Sequence, residues 1–297
     1  MAPIHLDEII KHNSHLLPSQ PDIAFYKAHG WYITPEIIDP NIIDNAKAGA
    51  LEFYEGKVDN TLLNDDKIAN ANYNEKASIH NNEFVTLQKN SLAELGFHPL
   101  ILATAAILSN SNEVRLFADS LITKKPTLPN AKTNTVGWHT DKAYWPTCSS
   151  NELLTAWIPL QDCSIDMGPL FHIDKSHSWK DNVDLKRFYS FNKQELGDLE
   201  SYLKEEIPNH KEIPMLLKKG QVSFHNCNTI HASRPNISSV DRMAVAVHFQ
   251  DQTNEYKKVF DTDGNLISIG YDQLCRKDKD GNPDYRDPNI FPVLLSQ

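Results

Sequence analysis

The feature that most constrains this chain is the tripeptide His139-Thr140-Asp141, combined with a distant second histidine, His231. On an extended backbone, side chains at positions i and i+2 point to the same side, so His139 and Asp141 can bind one metal ion from a single strand end. A fold that uses all three side chains must bring His231 back to that strand end. Two histidines and one carboxylate on one face of a metal leave three positions open, which suits non-haem Fe(II) centres that hold a cosubstrate and O2 together.

The composition is that of an ordinary globular protein. The 297 residues suffice for one large domain or two small ones, and 40% of them are hydrophobic and 23% charged. A net charge of −10 disfavours a nucleic-acid or anionic-membrane partner, whereas a small anionic substrate stays compatible with it. No apolar run approaches the length of a membrane span, and the first residues show no signal-peptide pattern.

The cysteines carry no metal-binding or disulfide signature. Four are present, without any CxxC spacing: Cys148, Cys163, Cys227 and Cys275. This usage predicts free thiols in a reduced setting, and therefore a cytoplasmic protein.

The first 111 residues predict helices and the following residues predict strands. Helical spacing or capping residues occur at 21–30, which ends at a Gly C-cap, at 40–54 and at 98–109. Short strand-like segments with Gly, Pro and Asn punctuation cover 115–123, 153–160, 169–173, 220–224 and 242–249. Short strands of this kind predict an antiparallel barrel or sandwich.

We interpret the chain as a single domain, 1–297, of the mainly β type with a helical layer (α+β). A helical N-terminal layer, 1–111, packs on a β-core, 112–250, which carries a charged insertion at 179–215. A polar, turn-rich tail follows at 251–297. Because long loops often carry specificity, the insertion and the tail are both candidate lids over the site.

Two groups of motifs resemble the phytanoyl-CoA dioxygenase family of Fe(II)- and 2-oxoglutarate-dependent oxygenases. In the distal group a Gly opens a strand, a His ends it, a Pro-Asn turn follows, and an Arg begins the next strand eleven residues after the His; here these are Gly220, His231, Pro235-Asn236 and Arg242. The proximal group consists of 137–141, 154–162, Met167-Gly168-Pro169-Leu170 and Ser176-His177. The resemblance covers roughly residues 20–250.

The resemblance implies a double-stranded β-helix core (jelly-roll, cupin-like) with the N-terminal helices packed on it. It also implies Fe(II) held by His139, Asp141 and His231, with 2-oxoglutarate and O2 as cosubstrates. Ser233 lies two residues after His231 and can face the cosubstrate with its hydroxyl. By family position, Thr123 is a further candidate cosubstrate contact.

Arg242 is the candidate anchor for the far carboxylate of 2-oxoglutarate. Arginine grips a carboxylate with two parallel hydrogen bonds and stays charged when buried. Along the strand that Arg242 begins, Ala244 and Ala246 share its face, and their small size leaves room for a bound diacid. The larger side chains alternate onto the other face, which predicts that this face packs on the core: Met243, Val245, Val247 and Phe249.

The substrate contacts are less constrained by the sequence. Lys142, Tyr144 and Trp145 directly follow the metal motif and are candidates for the substrate pocket, although a surface lysine and core aromatics are the plainer interpretations. The remaining histidines of the β-region are expected to be structural, because most isolated histidines bind no metal. They are His172, His177, His225 and His248.

The expected reaction is oxidation of an unactivated C–H bond in a small-molecule metabolite, with release of succinate and CO2. Hydroxylation comes first, with oxidative cyclisation and desaturation as open alternatives, and the presence of Asp141 argues against a halogenase. A secondary metabolite or an amino-acid-like compound is the leading substrate class. A zinc-dependent hydrolase, a non-catalytic ligand-binding protein and a scaffold are the rival interpretations, and the oligomeric state is left open.

Overall fold

The computed structural model describes residues 3–62, 77–127, 134–179 and 201–297, without residues 202 and 206. Its helices are α1 (Leu6–Asn13), α2 (Gln20–His29), α3 (Pro40–Tyr54), α4 (Asn90–Gly96), α5 (Pro99–Ser109) and α6 (Tyr271–Leu274). Its strands are β1 (Ile4–His5), β2 (Trp31–Ile33), β3 (Ile79–Glu83), β4 (Glu113–Lys124), β5 (Val136–His139), β6 (Leu154–Pro159), β7 (Leu170–Ile173), β8 (Glu212–Pro214), β9 (Ser223–Asn226), β10 (His231–Ser233), β11 (Arg242–Asp251) and β12 (Val293–Ser296).

The predicted helices form where their caps indicate. Helix α2 begins with a capping box between Ser19 and Asp22 and ends at Gly30, whose φ of 79° is left-handed and therefore favours glycine. Helix α3 starts after Asp39, whose side chain accepts a hydrogen bond from the amide of Asn41. It packs on α4 and buries one mainly apolar stripe: Ile43, Ala46, Gly49, Ala50 and Phe53.

The strands form two sheets that face each other across the site. The larger, eight-stranded sheet has the order β1-β12-β4-β11-β6-β9-β2, and β3 pairs with β4 at its side. The smaller, four-stranded sheet has the order β5-β10-β7-β8. All pairings are antiparallel except β1 with β12. The architecture is the predicted jelly-roll core with helices packed on one side.

Strand β11 separates the core from the site. Its larger residues, Met243, Val245, Val247 and Phe249, pack in the main hydrophobic cluster with the N-terminal helices. Ala244 and Ala246 face the other way, into a second cluster between the sheets that includes Trp157. The predicted alternation is therefore confirmed, and each fully buried large side chain on the core face contributes about 1.5–3 kcal/mol of burial.

The C-terminal segment is part of the β-core and not a free tail. Strand β12 pairs with β4 in the larger sheet. Tyr285, Ile290 and Phe291 are buried in a cluster with Phe117 and Trp145. Of the predicted insertion, 180–200 lies outside the described residues, whereas β8 pairs with β7 and completes the smaller sheet.

Among the described residues, no single helix is long and apolar enough to cross a membrane. Helices α4 and α5 reach that length and composition only as a pair, which is bent by 41°. Most residues of α5 are buried within the protein.

Candidate metal centre

Three predicted ligand residues converge at one end of the smaller sheet. Strands β5 and β10 pair so that His139 lies directly opposite His231, and Asp141 begins the one-turn helix that follows β5. One ligand atom from each of the three residues lies within 4.8 Å of the other two. His231 Nε2 is 3.6 Å from Asp141 Oδ1, and the two imidazole rings are 4.2 Å apart between centroids. The set can hold one metal ion.

His139 and His231 both direct Nε2 towards the candidate metal position. His139 Nδ1 donates to the carbonyl of Gly137 at 2.8 Å, and His231 Nδ1 donates to the carbonyl of Thr229 at 3.0 Å. Because a carbonyl only accepts, each Nδ1 carries the proton and each Nε2 keeps a lone pair for a metal. Burial, reinforced by neighbouring His139, lowers the pKa of His231 well below its ordinary value, which keeps this ring in the neutral form that a metal requires.

Asp141 is held with one oxygen occupied and the other free. Its Oδ2 accepts hydrogen bonds from Thr155 Oγ1 at 2.5 Å and from His225 Nε2 at 3.1 Å. Burial alone would raise the pKa of Asp141, but the histidines around it, His231 first, hold that pKa well below its ordinary value. The carboxylate is therefore charged at neutral pH, and Oδ1 is the oxygen turned towards His231.

His225 and His248 form a second layer behind Asp141. Since His225 Nε2 donates to the carboxylate, it carries a proton and is not available as a metal ligand. Thr155 uses its only hydroxyl proton on Asp141, so His248 Nδ1, 2.8 Å from Thr155 Oγ1, donates to that hydroxyl. As expected from the sequence, neither histidine is placed as a metal ligand. Their position around Asp141 was not predicted from the sequence.

A signal for the position of His248 was present in the strand alternation. His248 lies six residues after Arg242 on the same strand, so alternation places both side chains on one face. His225 lies on β9 and His231 on β10, so alternation gives no such signal for His225. His172 belongs to the same interior, with its ring centroid 4.7 Å from that of His225. It is fully buried, and neither of its nitrogens has a hydrogen-bond partner among the described residues. His177, by contrast, bonds to the carbonyl of Lys27 outside this interior.

Arg242 is a buried cation that has no anionic partner among the described residues. Its side chain is 1% exposed, and its Nε and Nη1 have no hydrogen-bond partner in the described part of the chain. The guanidinium lies 5.6 Å over the ring of Trp157. Burial lowers the pKa of Arg242 to about 10, which still leaves it charged at neutral pH. A buried, unpaired guanidinium is costly unless an anion joins it, so this position fits a carboxylate ligand.

Lys124 lies directly across from Arg242 in the β4–β11 ladder. Its Nζ donates to the carbonyls of Ser233 at 3.1 Å and Arg234 at 2.6 Å. Burial and, next, Arg242 lower the pKa of Lys124 to about 6. Sequence reasoning missed this residue, although it is the immediate neighbour of a predicted contact, Thr123.

Thr123 itself does not reach the site. It lies opposite Met243 in the β4–β11 ladder, on the face that packs against the helices, and its Oγ1 is 2.8 Å from Tyr54 Oη. Successive side chains of a strand point to opposite faces, so Lys124 and not Thr123 shares the face of Arg242. The expectation for Thr123 is therefore corrected. Ser233 is buried on β10, two residues after His231.

The three predicted substrate contacts lie in different environments in the structure. Lys142 turns into the protein, where its Nζ donates to the carbonyls of Cys148 and Ser150, so it is a buried structural residue and not a substrate contact. Trp145 is 3% exposed and packs edge-on against His248 and Phe117, which makes it part of the core behind the site. Tyr144 is half-buried, and its ring lies edge-on to His139 at 5.5 Å. Only Tyr144 borders the metal-binding side chains.

A jelly-roll with two histidines and an aspartate on one inner edge, and an unpaired buried arginine deeper inside, defines the class of non-haem metal oxygenases. The sequence profile of the phytanoyl-CoA dioxygenase (PhyH) family matches residues 26–244. The chain belongs to this family. A comparison with curated protein sequences gives no match.

Solved structures with the same fold include three that are 19% identical to this chain. The non-heme α-ketoglutarate-dependent carbocyclase SnoK from nogalamycin biosynthesis has a TM-score of 0.69, with 99% of this chain and 100% of that chain covered. The epimerase SnoN, solved with Fe3+, α-ketoglutarate and nogalamycin RO, has a TM-score of 0.65, with 92% and 97% covered. EctD from S. alaskensis, solved with 2-oxoglutarate and 5-hydroxyectoine, has a TM-score of 0.63, with 81% and 79% covered. At 19% sequence identity, the structural similarity establishes the fold alone.

Proposed function

We propose that the protein is an Fe(II)- and 2-oxoglutarate-dependent dioxygenase in which His139, Asp141 and His231 hold the iron. The single observation that carries the proposal is the pairing of these three side chains with a buried, unpaired guanidinium inside the same jelly-roll. A zinc hydrolase would use the three ligands but would leave Arg242 without a purpose. A non-catalytic protein would have no need for an open face on the metal.

The protein's own groups have separable roles in this proposal. Arg242 binds the far carboxylate of 2-oxoglutarate, with Lys124 adding a second positive charge beside it and Ser233 a hydroxyl. Thr155 and His225 hold Asp141 so that one oxygen faces the metal. Bound Fe(II), with 2-oxoglutarate and O2, supplies the oxidising chemistry that attacks a substrate C–H bond and yields succinate and CO2. Asp141 and His231 are both buried, which limits the access of water to that step.

The substrate in this proposal is a small-molecule metabolite, and a secondary metabolite or amino-acid-like compound is the leading class. Hydroxylation is the first expectation, and cyclisation or desaturation follows from the same hydrogen abstraction. SnoK and SnoN, from nogalamycin biosynthesis, are described as a carbocyclase and an epimerase. Their outcomes support keeping reactions other than hydroxylation open for this fold.

The test separates metal binding from cosubstrate binding. Wild-type protein, loaded anaerobically with Fe(II), is titrated with 2-oxoglutarate, and the iron–cosubstrate charge-transfer absorption is followed. His231→Ala removes a ligand and abolishes the absorption by abolishing iron binding. Arg242→Gln retains Fe(II) but lowers the affinity for 2-oxoglutarate at least about tenfold. A charge-assisted hydrogen bond contributes about 1.5–3 kcal/mol to binding.

Arg276→Gln is the matched control, since Arg276 is an arginine on the surface whose Nε pairs with Asp284. It is expected to leave both binding steps unchanged. Wild-type protein that binds Zn(II) but shows no Fe(II)-dependent 2-oxoglutarate absorption would favour the hydrolase instead. After O2 is admitted with a metabolite pool, failure of any pool to increase succinate release would favour the non-catalytic alternative.

A further inference from the structure

Edge strand β3 extends the inner surface of the jelly-roll beyond β4. In the ladders, Glu83 lies opposite Ser120, Ser120 opposite Ala246, and Ala246 opposite Trp157. Side chains directly opposite each other in antiparallel strands lie on the same face of the sheet. Glu83 therefore faces the interior that contains Arg242, and it is neither one of the three metal-ligand candidates nor a cosubstrate contact.

The register also places Glu83 relative to the side chains around Asp141. The next row on the same face, two residues further along β11, contains Ala118, His248, Thr155 and His225. The last three of these side chains lie around Asp141. Neighbouring strands are about 4.8 Å apart, so the backbone of Glu83 lies roughly 10 Å, or two strand spacings, from that of Ala246. A small metabolite can span this distance with a C–H bond near the metal.

Charge is segregated along β3. At its beginning, Ile79 lies opposite Lys124, which in turn lies opposite Arg242. Glu83 is four residues further on, about 13 Å along the strand. The interior thus has a positive end, which fits the anionic cosubstrate, and a separate carboxylate towards its open edge. Asn81, on the same face as Glu83, is exposed, so solvent reaches this edge.

Glu83 is half-buried and has no cationic partner among the residues that the structure describes. Its Oε1 accepts a hydrogen bond from Tyr271 Oη at 3.1 Å, and in the described part of the chain no Lys, Arg or His nitrogen pairs with it. Burial raises the pKa of Glu83, as expected for a carboxylate removed from water. A carboxylate in this position is stabilised most by a positively charged partner.

Tyr271 connects Glu83 physically to the metal-binding end. Its ring packs edge-on against Phe117 at 5.6 Å, and Phe117 packs edge-on against Trp145 at 5.2 Å. Trp145 in turn lies 4.8 Å from His248, behind Asp141. This packed wall fixes Glu83 relative to the metal ligands, so a group bound by Glu83 is held at a defined distance from them.

We propose that Glu83 is a substrate-binding residue that pairs with a protonated amino group, so that the substrate class is small organic amines. The proposal rests on the proposed function, because it names the substrate of the same site. The simpler role for Glu83 is to anchor Tyr271, and the two roles predict different results for variants at the two positions.

The test uses full-length protein loaded anaerobically with Fe(II) and 2-oxoglutarate, so that binding is measured without turnover. The probes are n-pentylamine, 1-pentanol and pentanoate, which differ only in the charge and hydrogen bonding of one end. Calorimetry gives the dissociation constant of each. Wild-type protein is expected to bind the amine at least about tenfold more tightly than the alcohol or the acid, as one charge-assisted hydrogen bond implies.

Glu83→Gln keeps the shape and the acceptor for Tyr271 but removes the charge, and it is expected to abolish the preference for the amine. Glu83→Asp retains the charge and is expected to retain a preference. Tyr271→Phe removes the anchoring bond and leaves the charge, so the preference is expected to survive. Melting temperatures of the loaded proteins report whether each variant is folded.

The proposal is overturned if wild-type protein binds the amine no better than the alcohol, or if Glu83→Gln retains the preference. It is also overturned if Tyr271→Phe loses the preference as fully as Glu83→Gln. Failure of the proposed function is distinguishable, because it appears as absent Fe(II) or 2-oxoglutarate binding before any probe is added.

Discussion

Thr155 Oγ1 donates to Asp141 Oδ2 at 2.5 Å, and this contact determines how the carboxylate can meet a metal. With Oδ2 also accepting from His225, the carboxylate has one oxygen left for coordination. A carboxylate that binds through one oxygen takes one metal position and leaves the others for cosubstrate and O2. Partners of this kind behind a metal ligand typically affect metal affinity or activity by 10- to 100-fold.

We predict that Thr155→Val weakens Fe(II) binding about tenfold, because the variant keeps the shape of the side chain but removes the donor to Asp141. Anaerobic titration with Fe(II) measures the effect. Thr155→Ser restores the hydroxyl and is expected to recover most of the affinity. Equal affinity in wild-type and Thr155→Val protein would show that the bond does not orient the carboxylate.

Lys124 gives 2-oxoglutarate binding a specific pH dependence. In the protein without cosubstrate its pKa is lowered to about 6, first by burial and then by Arg242. A bound dianion favours the protonated amine and raises that pKa, so binding takes up a proton above pH 6. We predict that 2-oxoglutarate affinity falls as pH rises from 6 to 8, by at most about tenfold per unit.

The Lys124→Met variant retains the length of the side chain without its charge. Its 2-oxoglutarate affinity is expected to be lower at pH 6 and nearly constant between pH 6 and 8. Dissociation constants from the charge-transfer absorption at four pH values make the comparison. A wild-type profile as flat as that of the variant would exclude Lys124 from cosubstrate binding.

The sequence was sufficient for elements whose signals are local. The Gly30 C-cap and the helical spacing at 40–54 are short-range patterns, and both appear in the structure. The sequence was insufficient for residues 251–297, because their turns are polar while the buried contacts are long-range. Phe291 stacks on Phe117 and β12 pairs with β4, and neither contact leaves a local pattern.

In the candidate site, too, features with a local sequence signal were predicted and features that depend on long-range contacts were not. Spacing placed His139 and Asp141 on one strand end, the family resemblance added His231, and the alternation of β11 placed Arg242 on the inner face. Thr123 was misplaced by one residue, and in a strand one residue reverses the face. Lys142 was misjudged because its direction depends on the carbonyls of Cys148 and Ser150, which only the folded turn brings together.

Buried neutral histidines make the metal-free protein sensitive to acid. Burial, the largest cause, lowers the pKa of His248 to about 4 from an ordinary value of 6.5. Between these values the unfolded chain binds the proton and the folded one does not, so stability is complete above pH 6.5 and is lost as pH falls towards 4. A shift of this size corresponds to at most about 3 kcal/mol.

We predict that the free energy of unfolding of metal-free protein falls between pH 7 and pH 5, and that His248→Asn reduces the fall. The asparagine amide retains a donor for Thr155 but does not titrate. Urea denaturation at the two pH values provides the measurement, with His12→Asn, a surface histidine in α1, as control. The same slope in wild type and His248→Asn would assign the acid sensitivity to other groups.

Gly168 joins the metal-binding sheet to the turn that follows His231. Its φ is 64°, and an added Cβ would lie 2.3 Å from the carbonyl oxygen of Arg234. That oxygen accepts the bond from Lys124, so a side chain at 168 displaces the backbone that follows Ser233 and holds the Lys124 amine. We predict that Gly168→Ala lowers the free energy of unfolding by more than about 2 kcal/mol, the upper cost of a left-handed non-glycine residue alone.

Gly264 is the matched control, because its φ of 84° is also left-handed but nothing lies within 4 Å of an added Cβ. Gly264→Ala is expected to lower the free energy of unfolding by about 1–2 kcal/mol, which is the effect of the left-handed backbone conformation alone. The difference between the two variants isolates the contact with Arg234, and the 2-oxoglutarate affinity of Gly168→Ala should fall with its stability. If both variants lose the same stability and both keep wild-type affinity, the close approach of Gly168 does not support the cosubstrate end of the site.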